Sequence, residues 1–419
     1  MSESRLVLFS HRYPSRLGAS EVFLDQEYSF VRAHADNVLF APIFRSNAPS
    51  NDQRWIDVDP KSIIAPQSSP SLRPVVPAMS MLFREISGHP LRHWSPKRLF
   101  QLSTVINAAV PLALSVGHAL RQRNWQGATL YAYWFDRTAF AAVMTKALFP
   151  DLPLRLVARA HRGDLYEDAQ FTNYLPFQRI VLEAADLVAC ISAHGAEYLR
   201  DRFDQFESKI VVRRLGTFDA VSLSRPTEPG RLRLVSCSNL IAVKRVDRIA
   251  RVVQALSTRG RFEIHWTHFG DGPERANIEA IAREFPRSVH FDLRGQVDNT
   301  TIRDFYATQS VDLFINLSLS EGIPVSIMEA SSHRIATLAT DVGGVSEIVN
   351  NHSGRLIQVD TSIASIADAI VALASNKLAL LSNAEAARTI WSRDYRAKTN
   401  YELFARELFE QGQTKATSG

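Results

Sequence analysis

Two glutamates, Glu321 and Glu329, share the segment Asp312-LFINLSLSEGIPVSIMEASS, in which an apolar run ends in polar residues and leads into a helical pattern. Gly322 allows close backbone approach, and Pro324 stands where the first helical turn should begin. A helix start at the carboxyl edge of a parallel sheet offers unpaired amide groups. The helix dipole adds to their attraction for an anion such as a diphosphate. Glu321 lies on the loop and Glu329 inside the helix, so the two carboxylates address different parts of one ligand. Glu329 fits the acid that accepts hydrogen bonds from vicinal ribose hydroxyls in dinucleotide-binding folds. Glu321, nearer the mouth, suits a sugar hydroxyl or the charge developing at a reacting carbon. The plainer reading of the same spacing is a solvated loop acid and an ordinary helix-face residue.

Upstream, Ser238-NLIAVKRVDRI places Lys244 and Arg245 after a strand and before a helix. Adjacent cations there neutralise a pyrophosphate, arginine through paired bonds, although surface cations before helices are common. Phe269-GDGPE reads as a structural glycine turn ahead of a proline-initiated helix. In the first half, Arg159-AHRGDLYED puts His161 directly after a strand, where an imidazole either donates to a sugar hydroxyl or simply packs. Ser15-RLGASE has one glycine, Gly18, where phosphate-cradling loops often have several. His265, His268 and His290 read as packing or surface histidines, since no spacing marks a metal site.

The elements that must position these residues alternate between strand and helix. Arg5–Ser10, Asn37–Ile43, Thr129–Trp134, Leu154–Ala158, Leu187–Ile191 and Ile210–Val212 are strand candidates, with a helix from Ser20 and an irregular excursion over Arg45–Pro77. Gly216–Gly230 reads as a linker. The alternation restarts with strands Leu232–Cys237, Glu263–Phe269, Val289–Leu293 and Asp312–Leu317 and helices from about Arg245 and Pro273. Such alternation predicts parallel sheets covered by helices on both faces. A helical pattern over Trp391–Phe409 could return to the first domain, and Gln413–Gly419 is expected to be disordered. The expected division is 1–216, a 217–230 linker, 231–392, and 393–419 as the returning helix with its tail.

The 419 residues, 46% hydrophobic and 22% charged, lie in the range of folded globular chains and exceed one ordinary domain. Cys190 and Cys237 each sit in an apolar run, which excludes a disulfide framework and a cysteine metal site and favours a reducing compartment. The short apolar stretch near the N-terminus is far below a secretory core, so a cytoplasmic location is expected. Between Pro60 and Gly163 there are thirteen Lys/Arg against three acids. Arg84, Arg92, Lys97 and Arg98 interleave there with Met79, Met81, Leu82, Phe83, Trp94 and Phe100, which suits either an anionic bilayer surface or a solvated basic face. Gln101–Leu120 approaches a membrane span in length, but its Ser, Thr, Asn, Pro and Gly residues favour a buried or surface-lying helix. No recognition module stands behind the basic residues, so nucleic acid is not expected as a partner.

Taken together, these segments resemble the family-four group of retaining GT-B glycosyltransferases, of the bacterial surface-polysaccharide type. The resemblance is clearest from Leu232 to Gly354. Its most specific part is Glu321-GIPVSIM-Glu329 followed by Ala339-TDVGGVSEIV, with Lys244, the GDGPE turn, Gly295, His161 and Gly18 in their usual order. It implies an α/β fold of two doubly wound Rossmann-like domains facing across a cleft. It also implies transfer of a sugar from a UDP- or GDP-sugar to a saccharide or lipid-linked saccharide, with retention and without a metal or other cofactor.

By the same resemblance Glu321 contacts the donor sugar and Glu329 the ribose, while the amides of Gly322, Ile323 and Val325, around Pro324, approach sugar and phosphates. Lys244, with Arg245, holds the diphosphate; Arg294 and Gly295 lie near the base. His161 faces the donor sugar from the other domain, and Gly18 lines the phosphate or acceptor side. Two departures stand out. Ser238-Asn239 replaces a common Gly-Arg pair, so either Arg245 supplies the missing charge or Asn239 marks a differently organised diphosphate site. Leu17 stands where a second glycine is common. Other readings of this architecture are a sugar-nucleotide epimerase, a phosphorylase, or a catalytically silent carbohydrate-binding partner, since fold does not fix function.

Overall fold

The computed structural model describes residues 3–15, 21–44, 59–67, 74–90 and 93–410. Gly18, Ser20, the 45–58 part of the excursion, Arg92 and the Gln413–Gly419 tail lie outside the described residues. The chain divides into two compact units, one of residues 1–213 and 401–419 and one of residues 214–400.

The first unit begins β1 Arg5–Ser10, α1 Val22–His34, β2 Asn37–Pro42, α2 Val75–Ser87 and α3 Pro96–Gln122. It continues β3 Thr129–Ala132, α4 Arg137–Leu148, β4 Arg155–Ala160, α5 Gln178–Ala184, β5 Leu187–Cys190, α6 Ala193–Arg202 and β6 Ile210–Val212. All pairings are parallel, in the order β2-β1-β3-β4-β5-β6. Alternate residues of one strand feed opposite layers, as the two-residue period of a strand requires. Val7 and Phe9 join the core that includes Leu112 of α3 and Phe140 of α4. Leu6 and Leu8 join the other, with Leu24 of α1. Burial on both faces is why these strands read as continuous apolar runs.

The second unit contains β7 Arg231–Cys237, α7 Val246–Ser257, β8 Glu263–Phe269, α8 Arg275–Ala282, β9 Val289–Leu293, α9 Asn299–Thr308 and β10 Leu313–Asn316. Then come α10 Val325–Ser332, β11 Ala336–Thr340, β12 Gly354–Ile357, α11 Ile363–Ser375 and α12 Lys377–Asp394. The order is β12-β11-β10-β7-β8-β9, again parallel. This is the classical doubly wound order, whose switch point lies between β7 and β10. The last helix, α13 Ala397–Phe409, crosses the unit boundary, and its Phe404, Ala405 and Leu408 are buried in the core that holds Leu6 and Leu8.

Three details differ from the sequence reading. Helix α2 starts inside the stretch read as irregular, with Pro77 in its first turn, where a missing N–H is harmless. Strands β11 and β12 escape notice because ATLAT and GRLI are short and carry small or polar residues; at Gly354 a Cβ would lie 1.9 Å from the Thr337 carbonyl oxygen. The Trp391–Phe409 pattern is two helices. Thr217 interrupts it, donating its N–H to Tyr395 O and accepting from Ala397 N–H, both at 3.0 Å. Helix α3 passes the length and composition test for a membrane span, yet Leu102, Val105, Ala109, Leu112 and Val116 on it are buried in the first unit's core.

A buried ion pair locks α1 to β4. Glu27 and Arg159 both have fully buried side chains, and Arg159 Nη1 donates to Glu27 Oε2. The Tyr131 hydroxyl donates to Glu27 Oε1 at 2.5 Å, and Arg159 Nη2 donates to Arg213 O at 2.9 Å. The arginine also lies 4.3 Å over the Phe404 ring. Removing one partner strands a charge away from water. Glu27→Ala should therefore lower stability by about 3–5 kcal/mol, whereas Arg406→Ala at the exposed Arg406–Glu402 pair should change it by about 0.5 kcal/mol or less. Urea unfolding of both variants checks this, and equal effects would contradict it.

Candidate functional site

The two loops at the second sheet's switch point carry the principal charged cluster. After β7 the chain makes a short turn, Ala242–Lys244, and Arg245 takes a left-handed conformation (φ 51°) before α7. After β10 it runs from Asn316 to Glu321 and enters α10. Leu319 N–H donates to Val243 O at 2.8 Å, which ties one loop to the other.

Across this junction Lys244 Nζ donates to both oxygens of Glu321, at 2.6 and 2.8 Å. Glu321 is only 5% exposed. Its Oε1 also accepts from the Ser318 hydroxyl at 2.6 Å and from Asn316 Nδ2 at 3.2 Å. A buried carboxylate needs such partners, and these loops supply all of them. Glu321 is thus a held charge, not the solvated loop acid of the plainer reading. Behind it, Gly344 N–H donates to Gly322 O at 2.8 Å. Gly343 has φ 54°, and a Cβ there would lie 1.9 Å from Glu321 O. Only a glycine permits that approach.

Glu329, on α10, is equally buried but differently treated. Among the described residues its carboxylate makes no hydrogen bond and no ion pair. Loss of hydration pushes its pKa up to about 7, opposed in part by the charge of Arg303. Its environment also includes Cys237, pushed up to about 12 by burial and by the charge of Glu329. No side chain caps α10, whose N-cap is Pro324. The helix begins at Val325, one residue later than the sequence indicates; Ile327 and Met328 N–H already bond to Pro324 O, and among the described residues the amides of Val325 and Ser326 are the ones left for an anion.

The remaining residues divide. Gly322, Ile323 and Pro324 are buried beside Glu321, and Val325 opens the helix. Arg245 Nη1 donates to Val359 O at 3.0 Å, and Asn239 is exposed. Arg294 is taken up by Asp292, its Nε donating at 2.6 Å. Gly295, at φ 69°, accepts a bond from Gly270 N–H at 2.8 Å, which closes the neighbouring turn. Asn316, Ser318 and the Gly343-Gly344 pair are site-building residues that the sequence reading did not single out. Their signal was available as polar residues ending β10 and a glycine pair following a short strand.

In the first unit, His161 follows β4 and is 8% exposed, with its ring 4.8 Å from Tyr133 and 4.5 Å from Trp134. Among the described residues neither ring nitrogen has a hydrogen-bond partner, and Nδ1 lies 3.5 Å from Asp164 Oδ2. Such an imidazole keeps hydrogen-bonding capacity to spare. The sequence reading missed its neighbours. His11 stacks on Trp134 at 5.2 Å, and its Nε2 is 2.6 Å from Asp136 Oδ2. Burial alone would lower the His11 pKa, but Asp136 and Glu21 outweigh it and raise it. Glu21 accepts the N–H groups of His11, Arg12 and Tyr13 and the Trp134 indole. A cavity of about 340 Å³ includes His11, Trp134, Asp136 and Asp164 in its lining. An aromatic face beside carboxylates gives this cavity an apolar wall with polar groups that can orient a ligand.

Comparison with known proteins fits this geometry. Residues 231–376 match the family described as Glycosyl transferases group 1. A stretch of 269 residues is 24% identical to TuaC of Bacillus subtilis (strain 168), named for teichuronic acid biosynthesis; it covers 62% of this chain and 64% of that protein. The match thus spans less than two thirds of that relative's length. Among solved structures, sucrose-phosphate synthase from Thermosynechococcus elongatus has a similar fold, with a TM-score of 0.67 at 15% identity over 97% of this chain and 98% of the other. HepE from Anabaena, crystallised with UDP and glucose, gives 0.64 at 17% identity over 98% of this chain and 100% of the other. Residues 231–376 are therefore similar to the glycosyl transferases group 1 family, and the chain has the GT-B fold.

Proposed function

We propose that the chain is a glycosyltransferase that moves a sugar from a UDP- or GDP-sugar to a hydroxyl of a saccharide or lipid-linked saccharide, with retention, in surface-polysaccharide synthesis. The observation that carries this reading is the pair of buried carboxylates at the second sheet's switch point. Glu321 is clamped by Lys244, and Glu329 is left with its acceptor capacity unspent. The HepE complex with UDP and glucose and the teichuronic acid context of TuaC support the same substrate class.

In this reading the diphosphate sits on the first amides of α10, close to the Lys244 ammonium, and the ribose hydroxyls donate to Glu329. The bond from the anomeric carbon to the phosphate oxygen breaks with its electron pair leaving on the diphosphate, and the sugar becomes oxocarbenium-like. Fixed amides and Lys244 stabilise the growing negative charge, while Glu321 faces the positive ring. The acceptor oxygen bonds to the same face of the anomeric carbon and passes its proton to the departing phosphate oxygen. No protein base or metal takes part. His161, in the first unit, donates to a sugar hydroxyl.

An anionic bilayer is the proposed source of a lipid-linked acceptor. Val76, Met79 and Phe83 lie on one face of α2 and are 76%, 58% and 72% exposed; Phe100 of α3 is 71% exposed. Lys97 and Arg84 belong to the same helices. Apolar side chains with cations beside them suit an interfacial helix.

Glu321→Ala and His161→Ala should each lower sugar transfer by more than about tenfold with the fold intact, measured as nucleotide release with matched donor and acceptor. Wild-type rates in both would refute the assignment, and loss of activity on chelation with the chain still folded by circular dichroism would refute the metal-free route. Nucleotide affinity should rise as pH increases through about 7, because only deprotonated Glu329 accepts both ribose hydroxyls. Glu329→Gln should bind more weakly and flatten that dependence, as titration calorimetry at several pH values would show. The stability linkage has the opposite sign: between the ordinary carboxyl range and about 7 the folded chain holds the extra proton, so this group's contribution to stability falls as pH rises. Anionic liposomes should retain the chain more than neutral ones do, and no difference would discard the bilayer reading.

A further inference from the structure

A second constellation lies away from the carboxyl edge of the second sheet. Glu263 opens β8 and His265 follows two residues later on the same face, while His290 on the edge strand β9 is the direct register partner of His265. Neighbouring strands run about 4.8 Å apart, so in-register imidazoles must stack. Their centroids are 4.4 Å apart with an interplanar angle of 20°. Both Nε2 atoms point at one carboxylate oxygen: His265 Nε2 is 3.3 Å and His290 Nε2 3.2 Å from Glu263 Oε1. The three ligand atoms lie within 4.8 Å of one another.

We propose that Glu263, His265 and His290 bind one divalent transition metal, Zn²⁺ above all, which fastens the edge strand β9 to β8. Two imidazoles and a carboxylate form a ligand set that zinc takes at about 2.0–2.2 Å, and tetrahedral geometry then separates the ligand atoms by about 3.3–3.6 Å. Two of the three separations are already close to this, and the third, within 4.8 Å, is brought into range by turning the Nε2 ends of the two rings toward each other. The site is open to solvent, with side-chain exposures of 42%, 30% and 55% in chain order, so water supplies a fourth ligand.

The surrounding charges tolerate a cation. Arg231 Nε approaches Glu263 Oε2 at 3.3 Å, on the oxygen that faces neither histidine, and so orients the ligand from behind. Arg233, opposite His265 in the ladder, donates to Gln309 Oε1 at 2.9 Å and Ser310 O at 3.2 Å. Asp292, next on the His290 face, is paired with Arg294. The sequence hid this site because its ligands come from two strands and share no spacing motif. It lies toward the amino ends of the strands, whereas Lys244, Glu321 and Glu329 lie at or beyond the carboxyl ends, so the metal acts on stability and takes no part in transfer.

The test is titration calorimetry of the metal-stripped full chain with ZnCl₂, accompanied by Co²⁺ absorption. The expected result is one saturable Zn²⁺ per chain, visible d–d bands of a low-coordinate cobalt centre, and a melting temperature raised by the metal. Binding should weaken by about tenfold or more in His265→Ala and in His290→Ala and stay unchanged in His352→Ala, an exposed histidine elsewhere. The ligand variants alter exposed side chains, and circular dichroism confirms that they fold. Absence of saturable binding, or equal binding by the His265→Ala/His290→Ala double variant, would overturn the proposal.

Discussion

A carboxylate taken out of water must be matched by a cation and by hydrogen-bond donors, and Glu321 shows what that demand does to a fold. Its partners come from two loops far apart in sequence, one following β7 and one following β10. Those loops meet because β7 and β10 are neighbours in the sheet. The doubly wound order makes them so: the chain starts in the middle, winds outward to β9, and returns on the other side. The Leu319–Val243 backbone bond and the abutting Gly343-Gly344 turn hold the two loops together. A fixed lysine and a helix start without a cap are then preorganised before any anion arrives.

Glu329 completes the site by contrast. One helix carries one acid at its approach and another within it, yet the first has its bonds satisfied by protein and the second has none among the described residues. A buried carboxylate without donors is unstable as an anion, and its raised pKa is the measure of that. Vicinal hydroxyls would supply the missing bonds, so the affinity of such a site for ribose and its acid–base behaviour share one cause. The first unit repeats the pattern around His161, where an imidazole is held between aromatic rings with its nitrogens unassigned.

Much of this was legible in the residues alone. An apolar strand such as Arg5–Ser10 announces itself because both of its faces are buried. The glutamate pair and Lys244 stood out because strand-to-helix junctions place polar residues where a ligand can reach them. What stayed hidden depends on contacts between distant segments. Strands β11 and β12 are too short and too polar to show an apolar run. The pairing of Lys244 with Glu321, the His11–Trp134–Asp136 group and the Glu263–His265–His290 cluster each join residues whose closeness only the strand order creates, while the support from Asn316 and Ser318 is local to the loop of Glu321. Gly18, expected to line the phosphate or acceptor side, lies outside the described residues.

The central claim is that a nucleoside diphosphate is held where α10 begins, between Lys244 and Glu329. A crystal structure of the chain with UDP or GDP tests it most directly. The account predicts phosphate oxygens within hydrogen-bond distance of the first α10 amides and the Lys244 ammonium, and both ribose hydroxyls on Glu329. A nucleotide bound elsewhere, with Glu329 still lacking any partner, would contradict it.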